Sequence, residues 1–473
     1  MENKRINGND LIALGYKENL AIGVALKINK KRLGFSKEEM LTKFKAVLDD
    51  PKAFSEDPVF SPLSFALLNI EELEKYNIPL KTEELPYEVY GAEQIEDGAK
   101  SQMKTAMKLP VTVAGALMPD AHQGYGLPIG GVLGTKNAII PYAVGVDIGC
   151  RMALSIFDLP ASYVDTHRDE LKKILMKTTR FGAGNGFLKD ERLDHEVLEN
   201  DQFDANPFVK QLKDKAWTQL GSSGGGNHFV EFGIMEFNEE DKELGVPQGQ
   251  YLALLTHSGS RGLGAMIANH YTKMAMQFCQ LPHEAKHLAY FDLDSAEGQE
   301  YWLAMNLAGD YASACHEVIH EKVLSELGAE RLTKVENHHN FAWKEMWKGE
   351  ELIVHRKGAT PAAKGVMGII PGSMAAPGFL VRGKGAEGAI NSASHGAGRL
   401  MSRTQAIKTL SRKELNQRLE DLGITLIGAD LDEAPMAYKN IHEVMDAQKE
   451  LLDVVASFHP KVVRMADDGS RED

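Results

Sequence analysis

The chain has 473 residues, with 53 Lys and Arg against 67 Asp and Glu, for a formal net charge of −14. Its 43% hydrophobic and 25% charged residues are ordinary globular composition, which excludes wholesale disorder, collagen and coiled coil. The length favours two or three domains with ample core, and the acidity excludes broad non-specific coating of nucleic acid while leaving room for a local basic groove.

Three cysteines cannot form a disulfide framework in such a chain, so a cysteine that matters is expected to be a metal ligand or a catalytic group in a reducing compartment. Met1–Asp10 is polar and lacks an apolar signal core, and no run approaches the roughly 18 apolar residues of a spanning helix. A cytoplasmic protein without membrane contact is expected.

In chain order, residues 1–86 are Lys/Glu-rich and helix-prone, with a loop expected at Ser55–Pro62. They read as a small helical module, followed by one large mixed domain over 87–473. Gln94–Leu109 has the pattern of an amphipathic helix and Val111–Leu117 that of a strand. Ile139–Cys150 is a short apolar run broken by Gly145 and Gly149. Arg151–Phe157 and Tyr251–Thr256 read as strands, the second apolar throughout and so expected to be buried on both faces. Ala308–Leu327 and Ile441–Ser457 read as helices. The strands are too many and too short for one open doubly wound sheet, so an α+β fold with two-sheet layering is expected.

Three patterns mislead. His316-Glu317-Val318-Ile319-His320 matches the H-E-x-x-H zinc signature on a helical stretch, but in a chain with 16 histidines it reads as a solvated helix face. His283 and His287 share that spacing with less context. Gly383–Gly388 satisfies G-x-G-x-x-G without the βαβ setting of a dinucleotide site, and no P-loop pattern occurs.

Asp147 and Cys150, three apart and hinged by Gly149, can turn toward one point as a mixed oxygen and sulfur ligand pair. Three histidines stand in glycine- or asparagine-rich settings near strand ends: His228 in Gly226–Glu231, His257 in His257–Gly262, and His339 in Asn337–Phe341. Together they offer donors for one or two metals, and by affinity rules alone the thiolate–imidazole set points to zinc. His395 lies in Ser394–Arg399, where flanking glycines let backbone N–H groups approach a phosphate. There the following helix start and Arg399 would add positive charge, and the imidazole could attack phosphorus. Pro371–Met374 supplies a second tight turn and His355–Thr360 a basic strand. The residues alone suggest a metal-dependent phosphoryl or nucleotidyl enzyme.

Met118-Pro119-Asp120-Ala121-His122-Gln123-Gly124-Tyr125-Gly126, Gly145–Cys150, Gly226–Glu231, His257–Gly262 and Ser394–Arg399 occur in the order seen in the RtcB family of RNA ligases, which the chain resembles from Tyr87 onward. The resemblance implies an RtcB-like multi-sheet domain with a central metal and nucleotide cleft. It implies an enzyme joining an RNA 3′-phosphate or 2′,3′-cyclic phosphate to a 5′-hydroxyl, as in RNA repair and tRNA splicing. It further implies GTP, two manganese ions and a histidine–GMP intermediate on His395. One metal would fall on Asp147, Cys150 and His228, the other on Cys150, His257 and His339. Guanylate contacts would fall on Asn227, His228, Phe229, Val230, Glu231, His339, Asn340, Pro371, Gly372, Ser373, Met374, His395, Gly396, Ala397 and Gly398. No obligatory protein partner is expected.

The chain departs from the family pattern at Gly378, where members carry a nucleotide-contacting serine, and near Ala466, where they carry a guanine-contacting lysine. These departures bear on nucleotide preference. They keep a metal-dependent phosphodiesterase or cyclic-phosphate hydrolase, and an RNA-binding protein without turnover, as competing readings. Asn7–Tyr16, continuing through Ile22–Leu26, resembles the helical tail of tRNA nucleotidyltransferases, which would make the N-terminal module an RNA-gripping element.

Overall fold

The computed structural model describes residues 6–17, 20–31, 34–69, 78–467 and 469, in two compact units, 1–78 and 79–473. Met1–Arg5 of the polar start and Asp468 of the tail lie outside the described residues. In the first unit the described residues form helices Gly8–Ala13, Leu20–Lys30, Lys37–Asp49 and Ser61–Leu68. Two of them begin with a reciprocal cap, Asn7 with Asp10 and Ser36 with Glu39, each worth about 1 kcal/mol. Leu11, Phe44, Val47 and Leu63 close a small apolar core, with Phe44 and Phe60 edge to face at 6.0 Å. Pro62, expected to end a loop, instead sits in the first turn of the last helix, where its missing N–H costs nothing.

The second unit contains seventeen described strands. They are β1 (Glu88–Val89), β2 (Thr112–His122), β3 (Ile129–Thr135), β4 (Ala138–Ile139), β5 (Arg151–Pro160) and β6 (Phe229–Phe237). Next come β7 (Gly249–Ser258), β8 (Phe291–Asp292), β9 (Arg331–His338), β10 (Asn340–Trp347), β11 (Glu350–Lys357) and β12 (Ala359–Pro361). The last are β13 (Met367–Ile370), β14 (Gly378–Gly383), β15 (Ser392–Ser394), β16 (Thr425–Ile427) and β17 (Leu452–Met465). One sheet runs β1-β2-β3-β11-β10. A larger one runs β13-β14-β17-β6-β7-β5-β9 with β16 beside β17, and its edge strands β13 and β9 come close enough to make it nearly barrel-like. The α+β, multi-sheet expectation holds.

Alternation along the strands gives the larger sheet two buried faces. Met152, Leu154, Ala253 and Leu255 enter one core; Val230, Phe232, Leu252 and Leu254 enter another, against Ile319 and Val323 of helix Ala296–Leu327. Tyr251–Thr256 is buried on both sides for this reason. The expected helix Ile441–Ser457 is corrected: the helix stops at Asp446, and Leu452 begins β17. There Leu452–Phe458 pairs with β14 and, from Ser457 onward, β17 also pairs with β6, so ladder pairing outweighs local helical periodicity.

Candidate functional site

The sheet builds the site by register. β6, β7, β5 and β9 are adjacent and antiparallel, so the start of β6, the end of β7, the start of β5 and the end of β9 share one rim. His228 precedes β6, His257 lies near the end of β7, Cys150 precedes β5, and His339 follows β9. In the ladders Met152 pairs with His257, and His257 with Phe229. Asp147 joins from the turn before Cys150, where Gly145 and Gly149 adopt positive φ. A Cβ on Gly259 would overlap the Asp147 carboxylate, so only glycine lets that carboxylate reach the rim.

The donors converge. Cys150 Sγ is 3.5 Å from His228 Nε2 and 3.2 Å from His257 Nε2. Asp147 Oδ2 is 3.1 Å from His228 Nε2, and His257 Nε2 is 3.2 Å from His339 Nε2. Two three-residue clusters therefore share Cys150: Asp147–Cys150–His228 and Cys150–His257–His339. His257 Nδ1–H donates to the Asn227 carbonyl at 3.0 Å, which fixes its tautomer and leaves Nε2 as a lone pair facing sulfur and another imidazole. Burial, then the nearby His228, holds His257 down at about 3; burial, then His395, holds His339 well below its ordinary value. Neutral imidazoles crowded on a thiol and a carboxylate suit a divalent cation, so the donor set fits one or two metal ions. His338 turns away and packs on Phe341 and Trp343, which leaves His339 as the member of the pair in the cluster.

His395 arrives from another direction, just after β15, which pairs with β12. Its ring lies 5.0 Å from that of His339. Its Nδ1–H donates to Asp120 Oδ2 at 2.7 Å, and the same oxygen accepts the backbone N–H groups of His395 (3.1 Å) and Gly396 (3.3 Å). Asp120 is fully buried in an irregular stretch of β2. Burial raises its carboxyl, but the charge and hydrogen bond of His395, together with Lys439, outweigh this and hold it below its usual value. With Nδ1 bound to Asp120, it is the neutral ring's Nε2 that would carry the lone pair. Nothing in the sequence around Asp120 signals this role, which appears only in its contact with a residue 275 positions later.

Two cavities meet at His395. One, of about 610 Å³, is lined by Asp147, Cys150, His228, His257, His339 and Asn340, with Lys357 on its wall. The other, of about 930 Å³, is lined by Asn227, Phe229, Glu231, Pro371–Met374 and His395–Arg399. Gly378 also lines it, whereas Ala466 lies on a smaller neighbouring cavity. The Val230 side chain packs in the opposite core, by strand alternation. Burial pushes the Glu231 carboxyl well above its ordinary range.

Three local readings need correction. Arg399 lines the larger cavity, yet its guanidinium is engaged by the Asp432 carbonyl (2.6 Å), the Met401 carbonyl, Tyr438 and Glu433. The next helix is the short Arg403–Thr409, capped by Ser402, so its dipole begins well past His395. His316 and His320 are buried, not solvated, because small residues such as Ala308, Ala312 and Cys315 let helix Ala296–Leu327 sink between elements.

A sequence model of the family described as "tRNA-splicing ligase RtcB" matches residues 102–466. The chain is 33% identical to the RNA-splicing ligase RtcB of Escherichia coli strain K12 over 429 residues, covering 84% of this chain and 99% of that protein. It is 31% identical to the tRNA-splicing ligase RtcB of Nanoarchaeum equitans, with 84% and 99% covered. It is 30% identical to that of Thermococcus kodakarensis, with 80% and 94% covered. Among the described residues no helix is long and apolar enough to cross a membrane. Fold, rim of donors and sequence relatives agree that the chain belongs to the RtcB family of RNA-splicing ligases.

Proposed function

We propose that the protein joins RNA 3′-phosphate or 2′,3′-cyclic phosphate ends to 5′-hydroxyl ends, using GTP and two manganese ions. The observation that carries this reading is His395, its Nδ1 held by Asp120, at the junction of a donor-lined cavity and a nucleotide-sized one. Asp147, Cys150 and His228 would hold one ion, and Cys150, His257 and His339 the other. When bound, such cations neutralise phosphate charge and orient the reacting groups.

His395 Nε2 attacks the α-phosphate of GTP, pyrophosphate leaves, and the phosphoramidate carries GMP. Asp120 orients the ring and stabilises the positive charge that develops on it. The RNA 3′-phosphate then takes GMP from His395, and the 5′-hydroxyl displaces GMP to close the phosphodiester; a cyclic end is first opened by water. Phe229, Pro371–Met374 and Gly396–Gly398 line the space for the guanylate, with the Glu231 carboxyl on its wall. The N-terminal helices would grip the RNA body. The test is incubation with α-labelled GTP and manganese: an acid-labile protein adduct that vanishes in His395→Ala is expected. Turnover of cyclic ends without nucleotide, indifferent to His395→Ala, would favour the hydrolase instead.

A further inference from the structure

The long helix Ala296–Leu327 carries a histidine pair that the proposed chemistry does not use. His316 Nε2 lies 3.1 Å from the Ser258 carbonyl, which can only accept. Nε2 is therefore protonated, and Nδ1, at 2.6 Å, takes the Thr256 hydroxyl proton in preference to the Ala153 carbonyl at 3.4 Å. With its single proton so used, Thr256 Oγ1 accepts from His320 Nε2–H at 2.9 Å. His320 Nδ1 then accepts from the Ser155 hydroxyl at 2.7 Å. One backbone carbonyl thus sets the direction of a four-bond chain in which both rings are neutral Nε2–H tautomers.

This ordering leaves no ring nitrogen for a metal, and Glu317 faces outward toward His195 at 3.7 Å. The chain does something else. Thr256 and Ser258 flank His257, and His316 bonds to both. His320, at the other end of these bonds, holds Ser155 in the middle of β5, away from Cys150. The same helix backs the start of β5 elsewhere: the Gly309 carbonyl accepts from Arg151 at 3.1 Å, and a side chain on Gly149 would strike Gly309.

We propose that His316 is a positioning residue for the metal cluster: through Thr256 and the Ser258 carbonyl it fixes the end of β7, and with it the direction of His257 Nε2 toward Cys150. The proposal rests on the metal reading of that cluster. A partner that orients a ligand in this way is commonly worth about 10- to 100-fold in metal affinity.

The experiment uses the full chain, stripped of metal and titrated with cobalt(II), whose thiolate absorption reports coordination by Cys150. His316→Asn, which keeps an acceptor for Thr256 and loses the bond to Ser258, should bind cobalt about tenfold or more weakly. His320→Asn, lowering the melting temperature comparably, should stay within about threefold of wild type. Thr256→Val should reproduce the loss and Thr256→Ser restore binding, a pair that stands even if the histidine variant misfolds. Long-range ¹⁵N–¹H correlations on histidine-labelled protein should show both rings as neutral Nε2–H forms. Unchanged cobalt affinity in His316→Asn and Thr256→Val, with only the melting temperature lowered, would overturn the proposal, as would a protonated Nδ1 on His316. A wild-type protein that takes no cobalt would overturn the metal reading itself, and this role with it.

Discussion

Replacing Asp120 with Asn is the sharpest single probe of the proposed chemistry. The Asn oxygen can keep the three contacts that Asp120 Oδ2 makes to His395 Nδ1, His395 N and Gly396 N, so the ring need not move. What disappears is the negative charge. As Nε2 forms its bond to phosphorus the imidazole becomes cationic, with charge centres about 4 Å apart; at an effective dielectric of about 20 a full charge there is worth about 4 kcal/mol. Half to full development in the transition state removes about 2 to 4 kcal/mol of stabilisation. That is a slowing of about 30- to 1,000-fold, at 1.36 kcal/mol per decade. The assay is single-turnover formation of the labelled protein–GMP adduct, with GTP affinity and cobalt titration run alongside. Both binding measurements should stay within a few-fold of wild type, since Asp120 belongs to neither metal cluster. An Asn variant forming adduct within fivefold of the wild-type rate would refute this role for the carboxylate.

Other outcomes follow from the same geometry. Cys150→Ser should empty both clusters at once, read as loss of bound metal per chain by elemental analysis, because the sulfur is common to the two. Gly259→Ala should leave the fold intact and weaken the cluster containing Asp147, since the new methyl displaces that carboxylate; metal titration against melting temperature separates the two effects. Acid should destabilise the native state. Burial holds His320 at about 3 and His355 at about 4, while the unfolded chain protonates near 6.5 and so binds more protons between those values. Stability therefore falls as pH drops below about 6.5, by about 1.4 kcal/mol per histidine at pH 5.5. Denaturant midpoints from pH 7.5 to 5.5 should fall, and less steeply in a His355→Gln variant; a flat profile would contradict the neutral assignment.

Much of the site was legible because glycine and metal donors announce themselves at strand ends: Asp147, Cys150, His228, His257 and His339 all lie where an apolar run meets a glycine or asparagine turn. The strand Tyr251–Thr256 was legible because unbroken apolar character means two covered faces. What stayed hidden depends on partners distant in sequence. Nothing near Arg399 signals that Asp432 and Glu433 will engage it. Nothing near Asp120 signals His395. Leu452–Ser457 carries a helical spacing that is overruled only when β14 binds along its edge. The H-E-x-x-H pair looked solvated because its glutamate and lysine neighbours are; its histidines occupy the other side of the helix, where Thr256 waits.

The common rim of β6, β7, β5 and β9 has an opposite end. There the connection from Phe237 to Gly249 exposes Glu239 and Glu240, while Asp241 and Val246 close a small bridge and are themselves buried. A strand rises about 3.3 Å per residue, so ladders of nine or ten residues hold this hairpin about 30 Å from the reactive edge. An affinity handle or fluorescent reporter spliced between Glu239 and Glu240 would travel with the chemistry without touching it, giving a place from which to watch RNA arrive.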